Sequence, residues 1–202
     1  MNTYTYELGD NLYINLTNRC NNQCTFCIKF KKRNFEDKFD LWLTKEPTAA
    51  QVLEEIPDPL KYKQIVFCGY GESLIRVDTL VSIAKHLKQK GSTIRIDTDG
   101  QANLFHGKNI LPMLNGLVDE INISLNAQDS ELYQKLCLPV YKDKAYQAIL
   151  GFARLAKDYI PKVILTAVAL PSVDSNACKN IAQEIGVEFK ARQYYESSYI
   201  SS

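Results

Sequence analysis

Short apolar runs rich in Ile and Val alternate along the chain with longer stretches of helical periodicity. The runs cover residues 11–16, 64–68, 93–97, 120–125, 162–170 and 187–192. Brief, nearly continuous apolar character of this kind predicts strands buried on both faces, as in a parallel sheet. Between them, Thr48-Ala49-Ala50-Gln51 is a capping box that opens a helix to about residue 56. Residues 77–90 are amphipathic and stop at Gly91, a residue type that tolerates the left-handed turn closing a helix. Weaker helical patterns occupy 109–117 and 130–136. Residues 144–159 place Ala145, Ile149, Phe152, Ala153 and Ala156 on one face, and 174–185 run from an N-cap aspartate, Asp174, to Gly186.

This alternation predicts an α/β fold of six β/α units with parallel strands and right-handed crossovers. Six units make either a doubly wound sheet or a partial barrel. A closed eight-stranded barrel usually needs about 250 residues, more than the 202 present. No repeat, low-complexity tract or linker interrupts the pattern, so residues 1–202 read as a single domain.

Composition narrows the class. Hydrophobic residues make up 46% and charged residues 23%, which excludes a disordered or collagen-like chain. The net charge of +1 offers no global field for nucleic acid, which is therefore not indicated as a partner. No apolar run approaches the roughly 18 residues of a membrane span, and the N-terminal segment lacks a basic region followed by an apolar one. The expected location is cytoplasmic. In that reducing compartment the six cysteines are metal ligands or core residues rather than disulfides.

Function in either architecture gathers at the C-terminal ends of the strands. The first strand is followed by Cys20, Cys24 and Cys27, spaced C-x3-C-x2-C. Three thiolates within eight residues wrap one metal centre. Structural zinc wants four protein ligands, and the two histidines, His86 and His106, lie far along the chain. Three cysteines suit a cubane iron–sulfur cluster with one open iron. The other strand ends carry polar or glycine-rich segments: CGYGES, DTDG, SLNAQD, AVALPS and ARQYY.

CNNQCTFC resembles the cluster motif of radical S-adenosylmethionine (SAM) enzymes, with Phe26 as its aromatic position. The resemblance implies a partial (β/α)6 barrel of the radical SAM type. It also implies that Cys20, Cys24 and Cys27 hold a [4Fe-4S] cluster whose open iron is chelated by SAM. CGYGES stands where that family has a Gly-Gly-Glu turn at the SAM amino group. Gly71 and Glu72 match; Tyr70 replaces the first glycine and Ser73 the usual proline. An ammonium wants acceptors, and glycine lets backbone come close. DTDG is similar to the DTNG of glycyl-radical-enzyme activases, so Asp97 and Thr98 are expected to face SAM. On its own the segment reads as a turn before Gly100. Ser124 and Asn126 are placed on one side by strand alternation, where the family holds the ribose or carboxylate. Arg192 is a candidate to neutralise a carboxylate, against the simpler reading of a surface arginine.

The segments NLYINLTNRCNNQCTFC, LWLTKEPTA, IVFCGYGE and ISLNA resemble the small radical SAM proteins associated with TatD nucleases, over about residues 10 to 127. This implies an enzyme that accepts an electron from flavodoxin or ferredoxin and cleaves SAM reductively to a 5′-deoxyadenosyl radical. That radical abstracts hydrogen from an unidentified substrate, with a macromolecule as one expectation; a TatD-type nuclease is the first candidate partner. Alternatives are a glycyl-radical-enzyme activase, a small-heterocycle enzyme of the 7-carboxy-7-deazaguanine synthase kind, and a zinc-stabilised binding module without catalysis.

The remaining features divide by position. Cys68 and Cys178 fall in regular elements and read as small core residues, as does Cys137, which ends a short helix. Lys29, Lys31, Lys32 and Arg33 form either a solvated loop or a docking surface for an acidic electron donor. Tyr194, Tyr195 and Tyr199 lie in a tail expected to fray. The chain ends soon after the last strand, so residues 28–46 are the one long candidate for a lid.

Overall fold

The computed structural model describes residues 2–31, 34–35 and 38–194. In chain order the strands are β1 (Thr5–Leu8), β2 (Asn11–Ile14), β3 (Asn34–Phe35), β4 (Phe39–Asp40), β5 (Gln64–Phe67), β6 (Ile94–Thr98), β7 (Glu120–Ser124), β8 (Lys162–Val168) and β9 (Glu188–Arg192). The helices are α1 (Ile28–Lys31), α2 (Ala49–Glu54), α3 (Val77–Gln89), α4 (Ala102–His106), α5 (Ser130–Cys137), α6 (Asp143–Ala156) and α7 (Ser175–Ile185).

The main sheet has the order β1-β2-β5-β6-β7-β8-β9, parallel from β2 onward. The six parallel strands are the six apolar runs of the sequence, and every consecutive pair is joined by helical structure. β1 is an addition: it pairs antiparallel to β2 through a two-residue turn at Gly9-Asp10. Gly9 has φ +56 there, a conformation glycine adopts without steric cost. The short β3–β4 ribbon forms a separate two-stranded sheet.

Local caps set the helix ends. Thr48 and Gln51 complete the capping box of α2, Asp174 caps α7, and Gly186 closes it at φ +79. The expected helix at 109–117 is a single 3-10 turn, Leu111–Leu114, with Pro112 inside it; the helix of this crossover is instead α4. Proline lacks the N–H that a longer helix would need at that point.

Which faces are buried decides between the two architectures. One core joins Leu12, Ile14, Ile65, Phe67, Ile94, Ile96, Ile121, Ile123 and Leu165, all on one side of the sheet, to buried residues of α2 through α7. All six helices therefore cover the same face. A doubly wound sheet would divide them between two faces. The sheet is open, with β1 and β9 at its edges, so the fold is a partial barrel. Its uncovered face is the inner one. In register across it stand Tyr13, Val66, Arg95, Asp97, Asn122, Ser124, Thr166 and Lys190.

Phe35, Phe39 and Leu41 cover part of that inner face. Phe35 and Phe39 pack on Tyr6 at ring-centroid distances of 6.1 and 5.5 Å, and Tyr6 stacks on Tyr13 at 5.2 Å. Tyr6, Leu41 and Tyr70 form a second small buried cluster with them. Ile28, Phe35, Phe39 and Leu41 of the candidate lid thus lie at the β1–β2 side, opposite the β9 edge.

Candidate functional site

The cysteine loop leaves the C-terminal end of β2 and is anchored on three sides. Asn21 Nδ2 donates to Asp99 Oδ2 (3.0 Å), and Asn22 Nδ2 donates to the Tyr133 hydroxyl (2.8 Å). Gln101 Nε2 donates to Asn22 Oδ1 (2.9 Å). The end of α5 adds a backbone clamp: the Gln23 and Thr25 amides donate to the Cys137 and Leu136 carbonyls, and the Val140 amide donates to the Asn21 carbonyl. The two asparagines of CNNQC therefore act as tethers that seat the thiol loop on β6 and α5. At the root of the loop, Glu46 binds Thr17 (2.5 Å), Arg19 (2.8 Å) and Arg76 (3.3 Å). LWLTKEPTA thus buttresses the loop from outside.

Cys20, Cys24 and Cys27 are each partly buried. Burial pushes the Cys20 and Cys27 thiols up; Cys24 is pushed up first by its contact with the Cys137 thiol and then by burial. A thiolate in such surroundings is stabilised by bound metal cations, which metal binding supplies as it releases the protons. Among the described residues, no three His, Cys, Asp or Glu side chains are drawn together as ligands of a single ion. His86 is exposed on α3, and His106 is bonded to the Leu74 carbonyl. A set of three thiols suits a cluster that keeps one site open better than structural zinc, which takes four protein ligands. Phe26 packs against the main core.

The CGYGES turn lies against the root of the cysteine loop. A side chain at Gly71 would sit 2.4 Å from both the Arg19 and Thr17 carbonyl oxygens, and one at Gly69 would sit 2.1 Å from Asn15 Oδ1. At Gly71 glycine is required because backbone passes backbone, and at Gly69 because the Asn15 side chain fills the space. The Glu72 amide donates to the Arg19 carbonyl (2.8 Å). The Glu72 carboxylate, 3% exposed, accepts from the Leu74 amide (2.9 Å), the Thr98 hydroxyl (2.9 Å) and the Asp99 amide (2.6 Å). It ties the end of β5 to the end of β6. Tyr70 turns into the cluster of Tyr6 and Leu41.

Asp97 and Thr98 do not share a direction, because successive strand residues point to opposite faces. The Thr98 hydroxyl is held by Glu72. Asp97 lies on the inner face, paired with Arg95 (3.1 Å) and accepting from Asn122 Nδ2 (2.9 Å). Ser124, Asn126 and Arg192 do come together: Arg192 Nη2 donates to Ser124 Oγ and Asn126 Oδ1, each at 3.3 Å. Asn126 takes φ +56 to reach this position, a conformation asparagine tolerates better than most residues. Arg192 is thereby more than a loose surface group.

Two cysteines change character. Cys68 follows β5 on the inner face, close enough to Asp97, Arg192 and Arg95 to feel their charges, so it is a wall residue of the concave side rather than of the helix-packed core. Cys137 is fully buried, as expected, yet it touches Cys24. Cys178 is buried within α7. Lys29 donates to the Asn18 carbonyl and lies over the Phe30 and Trp42 rings. Lys32, Arg33, Tyr195 and Tyr199 lie outside the described residues.

The carboxylate missed by the motif reading is Asp99. It is 7% exposed, and burial raises it to about 6. Glu72 is also raised, by burial and then by Asp99. The signal was available in DTDG, whose second aspartate precedes the glycine. A raised folded-state value means that Asp99 contributes stability below its unfolded value, about 4. That contribution is lost as pH rises to about 6. The melting-temperature advantage of the native chain over Asp99→Asn is expected to shrink from pH 4 to pH 6.5. Thermal melts of cluster-free protein would check this; an unchanged difference would mean that the pair does not titrate there.

Comparison with known proteins matches the same elements. The model of the Radical SAM superfamily matches residues 14–185. A GTP 3',8-cyclase of Corynebacterium glutamicum is 29% identical over 178 residues, covering 83% of this chain and 44% of that protein. The chain thus spans less than half of that relative. The structure of TYW1 with a lysine-pyruvate adduct bound superposes with a TM-score of 0.66 at 14% identity, over 93% of this chain and 65% of that one. Streptococcus suis SuiB, bound to the precursor peptide SuiA, gives 0.65 at 16% identity, over 95% and 41%. These two show the shared fold. With the family model covering the cysteine loop and the ends of β5 to β8, this chain belongs to the radical SAM superfamily, enzymes that use a [4Fe-4S] cluster and S-adenosylmethionine.

Proposed function

We propose that this chain generates a 5′-deoxyadenosyl radical at the C-terminal end of its sheet and directs it to a substrate on the inner face. The observation that carries this reading is convergence. The tethered cysteine loop, the CGYGES turn locked by Glu72, and the Ser124–Asn126–Arg192 group all occupy one end of one partial barrel.

Cys20, Cys24 and Cys27 are the residues that hold the cluster. When bound, it supplies the single electron that breaks the S–C5′ bond of SAM. The chain's own residues position and shield. Gly71 and Gly69 let the turn approach the loop closely enough for backbone carbonyls to face an ammonium. Glu72 keeps that turn registered to β6 and, as a buried carboxylate, favours a cation nearby. Ser124 and Asn126 offer polar contacts to ribose, and Arg192 a cation to a carboxylate. Asp97 stands on the inner wall below. Phe35 and Phe39, packed on Tyr6, exclude water from the β1–β2 side, as a reactive radical requires.

Superfamily members need an electron donor such as flavodoxin or ferredoxin. We place the chain with such donors in the cytoplasm; no helix among the described residues is long and apolar enough to cross a membrane. The name of the Corynebacterium relative makes GTP the first substrate to test.

Anaerobic incubation of the iron-reconstituted chain with dithionite and SAM is expected to yield 5′-deoxyadenosine and methionine. Addition of the true substrate is expected to raise the rate. Absence of 5′-deoxyadenosine from protein with full iron and sulfide content would overturn the reading.

A further inference from the structure

The charges of the inner face are unevenly paired, and what is left over is positive and confined to one edge. Arg95 is neutralised by Asp97 at 3.1 Å and also donates to Gln64 and the Tyr13 hydroxyl. Lys162 is bound to Glu120 at 3.1 Å, with Glu188 close enough to contribute to its field. The next two inward positions of β9 are Lys190 and Arg192, opposite Thr166 and Val168 of β8. Strand alternation puts both on the inner side, while Phe189 packs with the helices. Lys190 is exposed and makes no hydrogen bond or ion pair with any described residue. Arg192 uses a single nitrogen, Nη2, on Ser124 and Asn126, two neutral acceptors. Its other side-chain donors make no bond with a described residue.

The opposite side of the same face is apolar and covered, by Phe35 and Phe39 over Tyr6 and Tyr13. A ligand entering the partial barrel therefore meets aromatic side chains on one side and, on the other, two cations that form no ion pair with a described residue.

We propose that Lys190 and Arg192 form an oxyanion subsite for the substrate, taking a phosphate or carboxylate at the β9 edge while the reacting carbon lies further in. The proposal rests on the radical SAM reading of the site and adds the chemical class of the substrate to it. Arg192, nearer the strand end, is shared with the cofactor side. Lys190 stands two residues back along β9, on the same inner side. The fork of Arg192 matches a phosphate or carboxylate geometrically, and Lys190 adds a point charge.

The test uses the iron-reconstituted chain, saturated with SAM, at low ionic strength. Calorimetric titration with inorganic tripolyphosphate and with citrate separates phosphate from carboxylate preference. Lys190→Gln is expected to weaken the preferred probe about fivefold, as for loss of one partly solvated ion pair. Lys190→Glu is expected to weaken it more than tenfold, with a flatter salt dependence. Lys179→Gln, on the outer helix α7, serves as the control with unchanged binding. Iron content and SAM affinity, measured on the same samples, separate this claim from the broader one. Loss of SAM affinity in Lys190→Gln comparable to the loss of probe affinity would assign the cations to the cofactor's own carboxylate and overturn the proposal. So would equal probe binding by the native chain and Lys190→Glu, or no binding of either probe. Failure of iron or SAM binding in the native chain would instead refute the underlying reading.

Discussion

Alanine at Cys20, Cys24 or Cys27 is expected to reduce iron and acid-labile sulfide to background, where the native chain reconstitutes about four of each. The three thiols sit in one loop that the protein holds from three directions. Asn21 and Asn22 anchor it to Asp99 and Tyr133, and α5 clamps its backbone. Losing one thiol leaves two irons without protein ligands, which a cluster built on three does not survive. Cys178→Ala, remote within α7, is expected to keep the cluster. Cys68→Ala is expected to keep it too, because Cys68 lies on the inner wall after β5 and not in the loop. Cys137→Ala is the informative control, since its thiol touches Cys24. It too is expected to retain iron. Loss of metal as complete as in Cys24→Ala would make Cys137 a fourth ligand and reopen tetrahedral zinc. Anaerobic metal and sulfide analysis reads all these outcomes.

Gly71→Ala is expected to be the most damaging substitution that removes no functional group. Its added carbon would lie 2.4 Å from two backbone oxygens and 2.9 Å from the Asn18 carbonyl carbon. No rotamer change relieves a clash with backbone, so the CGYGES turn must part from the cysteine loop. That motion breaks the bond from the Glu72 amide to the Arg19 carbonyl. Overpacking of this kind costs about 1–3 kcal/mol, and the lost bond adds about 1 kcal/mol. A lower denaturant midpoint together with poorer iron retention is therefore expected. Gly151→Ala supplies the contrast. Gly151 lies in α6 with open space around it, and alanine there is expected to stabilise by about 0.5–1 kcal/mol. Equal midpoints for Gly71→Ala and the native chain would show that the turn relaxes away from the loop without cost.

The parts of this protein legible in its sequence are those that local physics controls. The apolar runs gave all six parallel strands, because a strand buried in a parallel sheet needs continuous apolar character. The caps at Thr48, Asp174 and Gly186 located helix ends, because unsatisfied backbone groups demand particular side chains. The cysteine spacing identified the metal chemistry, because three close thiols have few other uses. Local chemistry also held signals that the strand and motif patterns did not use. Gly9-Asp10 marks the β1–β2 hairpin, and Pro112 shortens the expected helix to one turn.

The sequence by itself determined the α/β class and the close spacing of the cysteine triad. What the tertiary structure decided is which residues face one another. The common side of α2 through α7 settled partial barrel over doubly wound sheet, because the hydrophobic pattern of a buried strand does not say which face a helix covers. Strand register sent Thr98 to Glu72 and left Asp97 on the inner wall. It moved Cys68 from presumed core to that wall and gathered Ser124, Asn126 and Arg192 across 68 positions of chain. Spacing along a chain reports neighbours within an element. The charge balance that singles out Lys190 and Arg192 arises between strands, where each cation meets or misses its carboxylate according to register.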